Sequence, residues 1–349
     1  MLPFVTIDEG FEMEKVFFIV ALFLFGGCTQ QHREFIAYDA DVVIDADSYV
    51  FDADVAPQDA DGADDADAEA ELDADQEVCN GQVWCEAAWV RVDVRPYYAG
   101  SYASHPNHNF DERRRLVLST IDFEIQNTEV TRVQFYELMG YDPTVEEECL
   151  DCPVGNISWH EAAAYTNALS RYRDIEQCYA CYNASGGMRC ELSDESWGGM
   201  VQQCDGYRLP TEVEWEFAAR GGVYADGNIF LVDGTPPEIP DGYLVGDVAW
   251  HNENSNGSAH SVASKAPNVL GLYDILGNRW EPTHNWYEYV YPEVEPFDYA
   301  GPEGGDEKTY RGGSAIFLPS ACRFSDRSAR NPTVRQTALG VRVVRTLSE

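Results

Sequence analysis

The chain is poor in positive charge. Of its 349 residues, 23 are Lys or Arg against 61 Asp or Glu, for a formal net charge of −38. A surface of that sign repels phosphate backbones, which excludes nucleic acid as a partner. Long apolar runs are also missing. The longest, Val16 to Phe25, falls short of the roughly 20 residues that cross a bilayer. There is no Gly-x-Ser-x-Gly elbow, no His-Glu-x-x-His helix and no phosphate-cradling glycine loop. Serine hydrolase, zincin and P-loop chemistry are therefore set aside. The histidines offer little in their place. His105 and His108 share the loop-like "HPNH" with no carboxylate beside them, His160 reads as a helix-surface residue, and His284 falls in a groove or turn.

What is present begins with an export signal. Residues 1–28 end in "MEKVFFIVALFLFGGC", with Lys15 as a small basic region, Val16 to Phe25 as the apolar core and Gly26–Gly27 before Cys28. Met13 is the expected start. The pattern fits a signal peptide, and the cysteine after small residues resembles a bacterial lipobox, with cleavage before Cys28 and lipid on its sulfur. Thr29 after that cysteine points to the outer membrane by the same resemblance. The expected partner there is the membrane, through the lipid on Cys28. Residues 29–78 form an acidic Asp/Ala tether. Between Asp39 and Glu77 lie sixteen Asp or Glu and no Lys or Arg. Such a segment buries too little apolar surface to order itself, and like charges extend it. Removing those sixteen charges from −38 leaves −22 on the remainder, so residues 79–349 are acidic as well. The Asp-x-Asp spacing lacks the Gly and Glu positions of a calcium loop.

Ten cysteines occur. In an exported chain disulfides are the default. With Cys28 set apart, nine remain. Cys79 and Cys85 are near neighbours, as are Cys149 and Cys152. Cys178, Cys181, Cys190 and Cys204 form a local insert that holds two disulfides or a zinc ion, and spacing does not choose the pairing. Cys322 is left over as a lone thiol.

Residues 79–349 read as an α+β domain with few helices, short strands and many ordered loops. Three helix starts carry capping boxes: Thr131 with Gln134, Ser158 with Glu161, and Thr211 with Glu214. Val130 and Phe135 sit where a hydrophobic staple would be. Gly140 and Gly221 suit helix stops. Trp159, Ala162, Ala163 and Leu169 fall near one helical face. Gly340 to Arg345 reads as a strand. In "RFSDRSAR", Arg323, Arg327 and Arg330 either receive an anionic ligand or pair with internal acids.

The motifs "IQNTEVTRVQFYELMGY", "VGNISWHEAAAYTNALS", "GYRLPTEVEWEFAARGG", "APNVLGLYDILGNRWEPTHNWY" and "RGGSAIFLPSACRFSDRSAR" follow one another in order. Together, over about residues 89–346, they resemble the formylglycine-generating enzyme, or sulfatase-modifying factor, family. The resemblance implies a C-type-lectin-like scaffold with bound calcium. It also implies an oxidase that turns a peptidyl cysteine of sulfatases into formylglycine, using oxygen and copper held by two thiolates. Ser314 falls on the family's active-site serine and Cys322 on the second copper position. The first copper position is Phe317, which cannot ligate a metal. Asp274, Gly277, Arg279 and Glu281 match one calcium site, with backbone carbonyls from Gly277 and Arg279, a carboxylate from Glu281 and at least a carbonyl from Asp274. Pro282 and Asn285 replace residues usual in the groove wall. The expectation is a cell-surface binding module for peptide or glycan. The alternatives are the copper-dependent oxidase and a structural envelope protein.

Overall fold

Local signals start the helices and tertiary pairing defines the strands. The computed structural model of the protein describes residues 88–145, 149–193, 199–222, 243–292 and 297–347. The signal segment with Cys28, the tether, Cys79 and Cys85 lie outside the described residues. In chain order the elements are β1 (Trp89–Val92), β2 (Tyr97–Ala99), β3 (Arg115–Val117), β4 (Phe123–Gln126), α1 (Arg132–Met139) and α2 (Trp159–Tyr172). Next come β5 (Tyr179–Ala184), β6 (Gly187–Leu192), β7 (Tyr207–Arg208), α3 (Glu212–Ala219), α4 (Val245–Val248) and β8 (Ala249–Trp250). The chain closes with β9 (Leu276–Gly277), β10 (Glu281–Trp286), β11 (Lys308–Arg311), β12 (Arg327–Arg330) and β13 (Val344–Thr346). The fold is α+β, as expected.

All three capping boxes form. At α1, Thr131 Oγ1 accepts from the Gln134 amide at 3.3 Å, and Gln134 Oε1 accepts from the Thr131 amide at 3.0 Å. Gly140 then ends the helix in the left-handed region at φ 76. Val130 and Phe135 are both fully buried in one cluster, as a staple requires. At α3 the Glu214 carboxylate does two jobs. It accepts from the Thr211 amide at 2.8 Å and pairs with Arg208 through two 2.8 Å contacts. Asn285 adds a further acceptor, taking the Glu212 amide at 2.8 Å. Asn285 thus fastens the start of α3 from inside the protein and does not line a groove wall.

The main sheet is antiparallel, in the order β1-β4-β13-β7. A second antiparallel sheet has the order β10-β11-β12. Within it β10 is an edge strand, which is why Pro282, with no N–H to give, is tolerated there. Two core clusters result. One gathers α1 and α2 with Trp280, Tyr310 and Val341. The other gathers α3 with Phe123, Leu276, Cys322, Phe324 and Val344. Each buried Phe, Leu or Val contributes about 1.5–3 kcal/mol.

Several expectations are corrected. α2 buries the face of Trp159, Ala162, Ala163 and Leu169 as read, and the rest of the run from Trp159 to Ser170 is buried as well. His160 is 6% exposed, because the β5–β6 hairpin covers it and its Nδ1 accepts the Cys190 amide at 3.1 Å. His284 lies buried in β10, its ring stacked on Tyr179. The last strand begins at Val344, since Gly340 to Val343 runs as loop between the two clusters. The insert forms two disulfides, Cys178–Cys204 and Cys181–Cys190, which leaves no thiolate for zinc. Cys149–Cys152 is the third bridge among the described residues, and Cys322 is free.

Candidate functional site

The site begins at the end of β11. Gly312 and Gly313 both take positive φ, 93 and 81. A Cβ on Gly313 would lie 2.8 Å from the Ala321 carbonyl oxygen and 2.9 Å from Cys322 Sγ, so only glycine lets the loop close here. The turn is stitched to the next one. The Gly277 amide donates to the Gly312 carbonyl at 2.8 Å, and the Ala315 amide to the Asn278 carbonyl at 2.9 Å. The loop then passes Phe317, makes a short 3-10 turn at Pro319–Ala321 and delivers Cys322 to the interior.

Cys322 and Phe317 take different destinations. Cys322 is fully buried in the α3 cluster. Phe317 is half-buried against the other cluster, edge-on to Trp280 at 5.5 Å. Burial pushes the Cys322 thiol up to about 12, and Asp326 adds to the shift; the Ser314 amide offsets a little of it. Copper(I) needs thiolates. One position here has no ligating atom, and the other is buried in a different cluster, so these residues do not fit a paired copper site. Two polar atoms beside them are buried with no partner, Ser314 Oγ and Trp280 Nε1.

The Asp274–Glu281 turn is the second candidate. Asp274, Gly277 and Asn278 all have positive φ, at 52, 82 and 50. Gly277 is needed because a Cβ would meet the Trp250 backbone at 2.4 Å. The Asp274 carboxylate is buried. Its Oδ2 accepts the Ala263 amide at 2.6 Å, while Oδ1 has no partner. Both Glu281 oxygens accept a hydrogen bond: Oε2 from Trp215 Nε1–H at 2.6 Å and Oε1 from Arg342 Nε–H at 2.8 Å. The sequence reading missed Glu129. It is wholly buried and accepts the Arg279 amide at 2.9 Å and the Asn278 side chain at 2.8 Å. Its one sequence signal is an acid two residues before the first capping box. Burial raises the pKa of Asp274 to about 6, with Glu281 adding to it. Burial, then Asp274 and Glu281, raise Glu129 well above the carboxylate range. Repulsion thus couples Glu129, Asp274 and Glu281, and Asp274 Oδ1 is left open beside them.

The "RFSDRSAR" arginines take the internal reading. Arg323 holds Glu112 at 2.6 Å and Asp326 at 2.9 Å, and Arg327 holds Glu212 at 2.6 Å. Arg330 is exposed on β12. His105 and His108 remain in a loop, where His108 Nδ1 meets Ser101 Oγ at 2.7 Å. Among the described residues there is no group of three or more His, Cys, Asp or Glu that could hold a metal ion. No helix among them is long and apolar enough to cross a membrane.

A family model described as "Sulfatase-modifying factor enzyme 1-like domain" matches residues 97–347. The chain is similar to "Chaperone protein LppX" of Paenibacillus barcinonensis, 29% identical over 53% of this chain and 69% of that one. It is similar to the formylglycine-generating enzyme of Mus musculus, 34% identical over 42% of each chain. The match thus spans about two-fifths of that mammalian enzyme. Among solved structures, "Treponema denticola variable protein 1" superposes with a TM-score of 0.61 at 27% identity, over 74% of this chain and 95% of the other. PvdO from Pseudomonas aeruginosa, at 19% identity and a TM-score of 0.58, shares the fold over 75% of this chain and 96% of its own.

Proposed function

We propose a binding role for this chain, which belongs to the sulfatase-modifying factor enzyme 1-like family: a cell-surface lipoprotein, anchored through Cys28, that uses its folded domain to hold peptide or glycan and carries no copper oxidase. One observation carries the reading. Where the family's oxidase needs two thiolates, Phe317 packs against Trp280 and Cys322 is buried in the other core cluster. The fold alone does not decide the function, so the site must. The test is incubation with copper(I), oxygen and a Cys-x-Pro-x-Arg peptide, followed by mass spectrometry. The expected result is unchanged peptide; an aldehyde product would overturn the reading.

A single-thiolate oxidase is the second reading. The unpartnered Ser314 Oγ beside Cys322 favours it, since a small polar reactant could sit there. The same incubation decides between the two.

Calcium belongs to the binding role. Asp274 and Glu281 would supply carboxylate oxygens, and Gly277 and Arg279 carbonyls. The cation would relieve the repulsion among Asp274, Glu281 and Glu129. Chelation is expected to lower Tm by several degrees, in line with the linkage of a bound ion to stability. Added calcium should restore it and magnesium should not; a Tm indifferent to calcium would remove the ion from the scheme.

A further inference from the structure

The segment from Tyr97 to Leu116 sorts its charges by direction. Its two acids turn inward. Asp111 Oδ2 accepts the Tyr287 hydroxyl at 2.7 Å, and the Asp111 carbonyl accepts from Arg327 at 3.0 Å. The Glu112 carboxylate takes two Arg323 N–H groups at 2.6 and 2.8 Å. What remains outside is cationic and aromatic. Phe110 is 72% exposed and stacks on Tyr289, itself 57% exposed, at 5.8 Å and 18°. The Arg114 guanidinium lies over the rings of Tyr98 and Tyr102, 4.3 and 4.2 Å from their centroids. Tyr98 pairs with Leu116 across the β2–β3 hairpin, so Tyr98, Arg114 and Leu116 share its outer face. Among the described residues neither Arg113 nor Arg114 has a carboxylate partner.

Arg113 and Arg114, with no carboxylate partner among the described residues, put positive charge on the surface of a chain of net charge −38. The inward ties of Asp111 and Glu112 to Arg327 and Arg323 hold the patch in one shape. Rings this exposed present flat faces, which suit the C–H faces of pyranoses; an acidic peptide would need pockets for its side chains. The acidic remainder of the surface is screened beyond about 8 Å at physiological salt. A guanidinium matches a carboxylate with paired N–H groups.

We propose that this surface binds a uronate-containing oligosaccharide. Arg113 and Arg114 receive the carboxylate, and Phe110, Tyr289 and Tyr98 take the sugar faces. The proposal rests on the binding role and takes its glycan arm, at a surface separate from the Phe317 loop.

The test is calorimetric titration of the full chain with two probes: oligogalacturonate, and a hexasaccharide alternating uronate with N-acetylhexosamine. At least one should bind, with affinity falling as salt rises. Carboxyl reduction of the glycan, Arg114→Gln and Phe110→Ala should each weaken binding by about tenfold or more. Arg114→Lys should retain part of the affinity, and Leu318→Ala on the other loop all of it. Unchanged circular dichroism shows that each variant folds. Silence with both probes overturns the proposal. So does equal binding of the reduced glycan, equal binding by Arg114→Gln, or equally tight binding of an acidic peptide of the same charge. Silence together with aldehyde formation in the copper assay would remove the binding role itself. Silence without it would remove only the glycan.

Discussion

At the scale of residues, the chemistry of Cys322 is decided by where it points. With its thiol pushed up to about 12 by burial, it is protonated at neutral pH and shielded from reagents. Iodoacetamide at pH 8 is expected to leave it unlabelled in the native protein and to label it fully in guanidinium; rapid native labelling would contradict the burial. The pair of acids on Arg323 gives a second prediction, with opposite signs. Burial alone would raise Glu112, but hydrogen bonds and charge from Arg323, with hydrogen bonds from Ser101 and Asn109, outweigh it and hold the carboxyl at about 2. Its stabilising effect is present above its ordinary pKa of 4.5 and is lost as pH falls towards 2. Asp326 is raised to about 7, chiefly by burial with Glu112 adding repulsion, and only partly offset by Arg323. The folded state binds its proton more tightly, so stability falls as pH rises from 3.8 to about 7. Urea unfolding should therefore show this cluster most favourable near pH 4. Asp326→Asn should flatten the decline towards neutrality; a decline of unchanged slope would show that other groups cause it.

At the scale of elements, the capping boxes set the helix starts. Thr211→Ala removes one acceptor from the first turn of α3 and should cost about 1 kcal/mol. Glu214→Ala removes the acceptor of the Thr211 amide and also strands the wholly buried Arg208, so about 3–5 kcal/mol is expected. Equal costs in urea unfolding would refute the double role of Glu214. These features were legible in the sequence because they are local: a capping residue, an acid or amide three positions on, an apolar run. The same holds for the lone thiol, which follows from cysteine grouping. What could not be read is set by distant contacts. His160 looked exposed because the hairpin that covers it lies about thirty residues away in sequence. Asn285 looked like groove lining, yet its acceptor serves a helix start on another element. Phe317 and Cys322 are five residues apart, and nothing local says that they enter different cores. Glu129 is invisible for the same reason, since its value lies in the turn it braces from below.

At the scale of the whole molecule, the disulfides differ in what they hold. Cys178–Cys204 closes a loop with a sequence separation of 26, against 3 for Cys149–Cys152. On the chain-entropy account the first is worth about 3–4 kcal/mol and the second about 2. Replacing the Cys178–Cys204 pair by alanines should therefore lower the urea midpoint more than replacing Cys149–Cys152, and the reverse order would count against that account. The central sheet sets a stricter condition. β13 lies between β4 and β7, so Val344 pairs with both Ile125 and Arg208. Neither neighbour can complete its ladder until nearly the whole chain has emerged. A nascent chain therefore carries its halves as unjoined edges for most of its synthesis. The last strand is thus a latch that joins the two halves of the sheet. Chains ended before Val344 should stay protease-sensitive while full-length chains resist; a resistant truncated chain would show that the sheet closes without its latch.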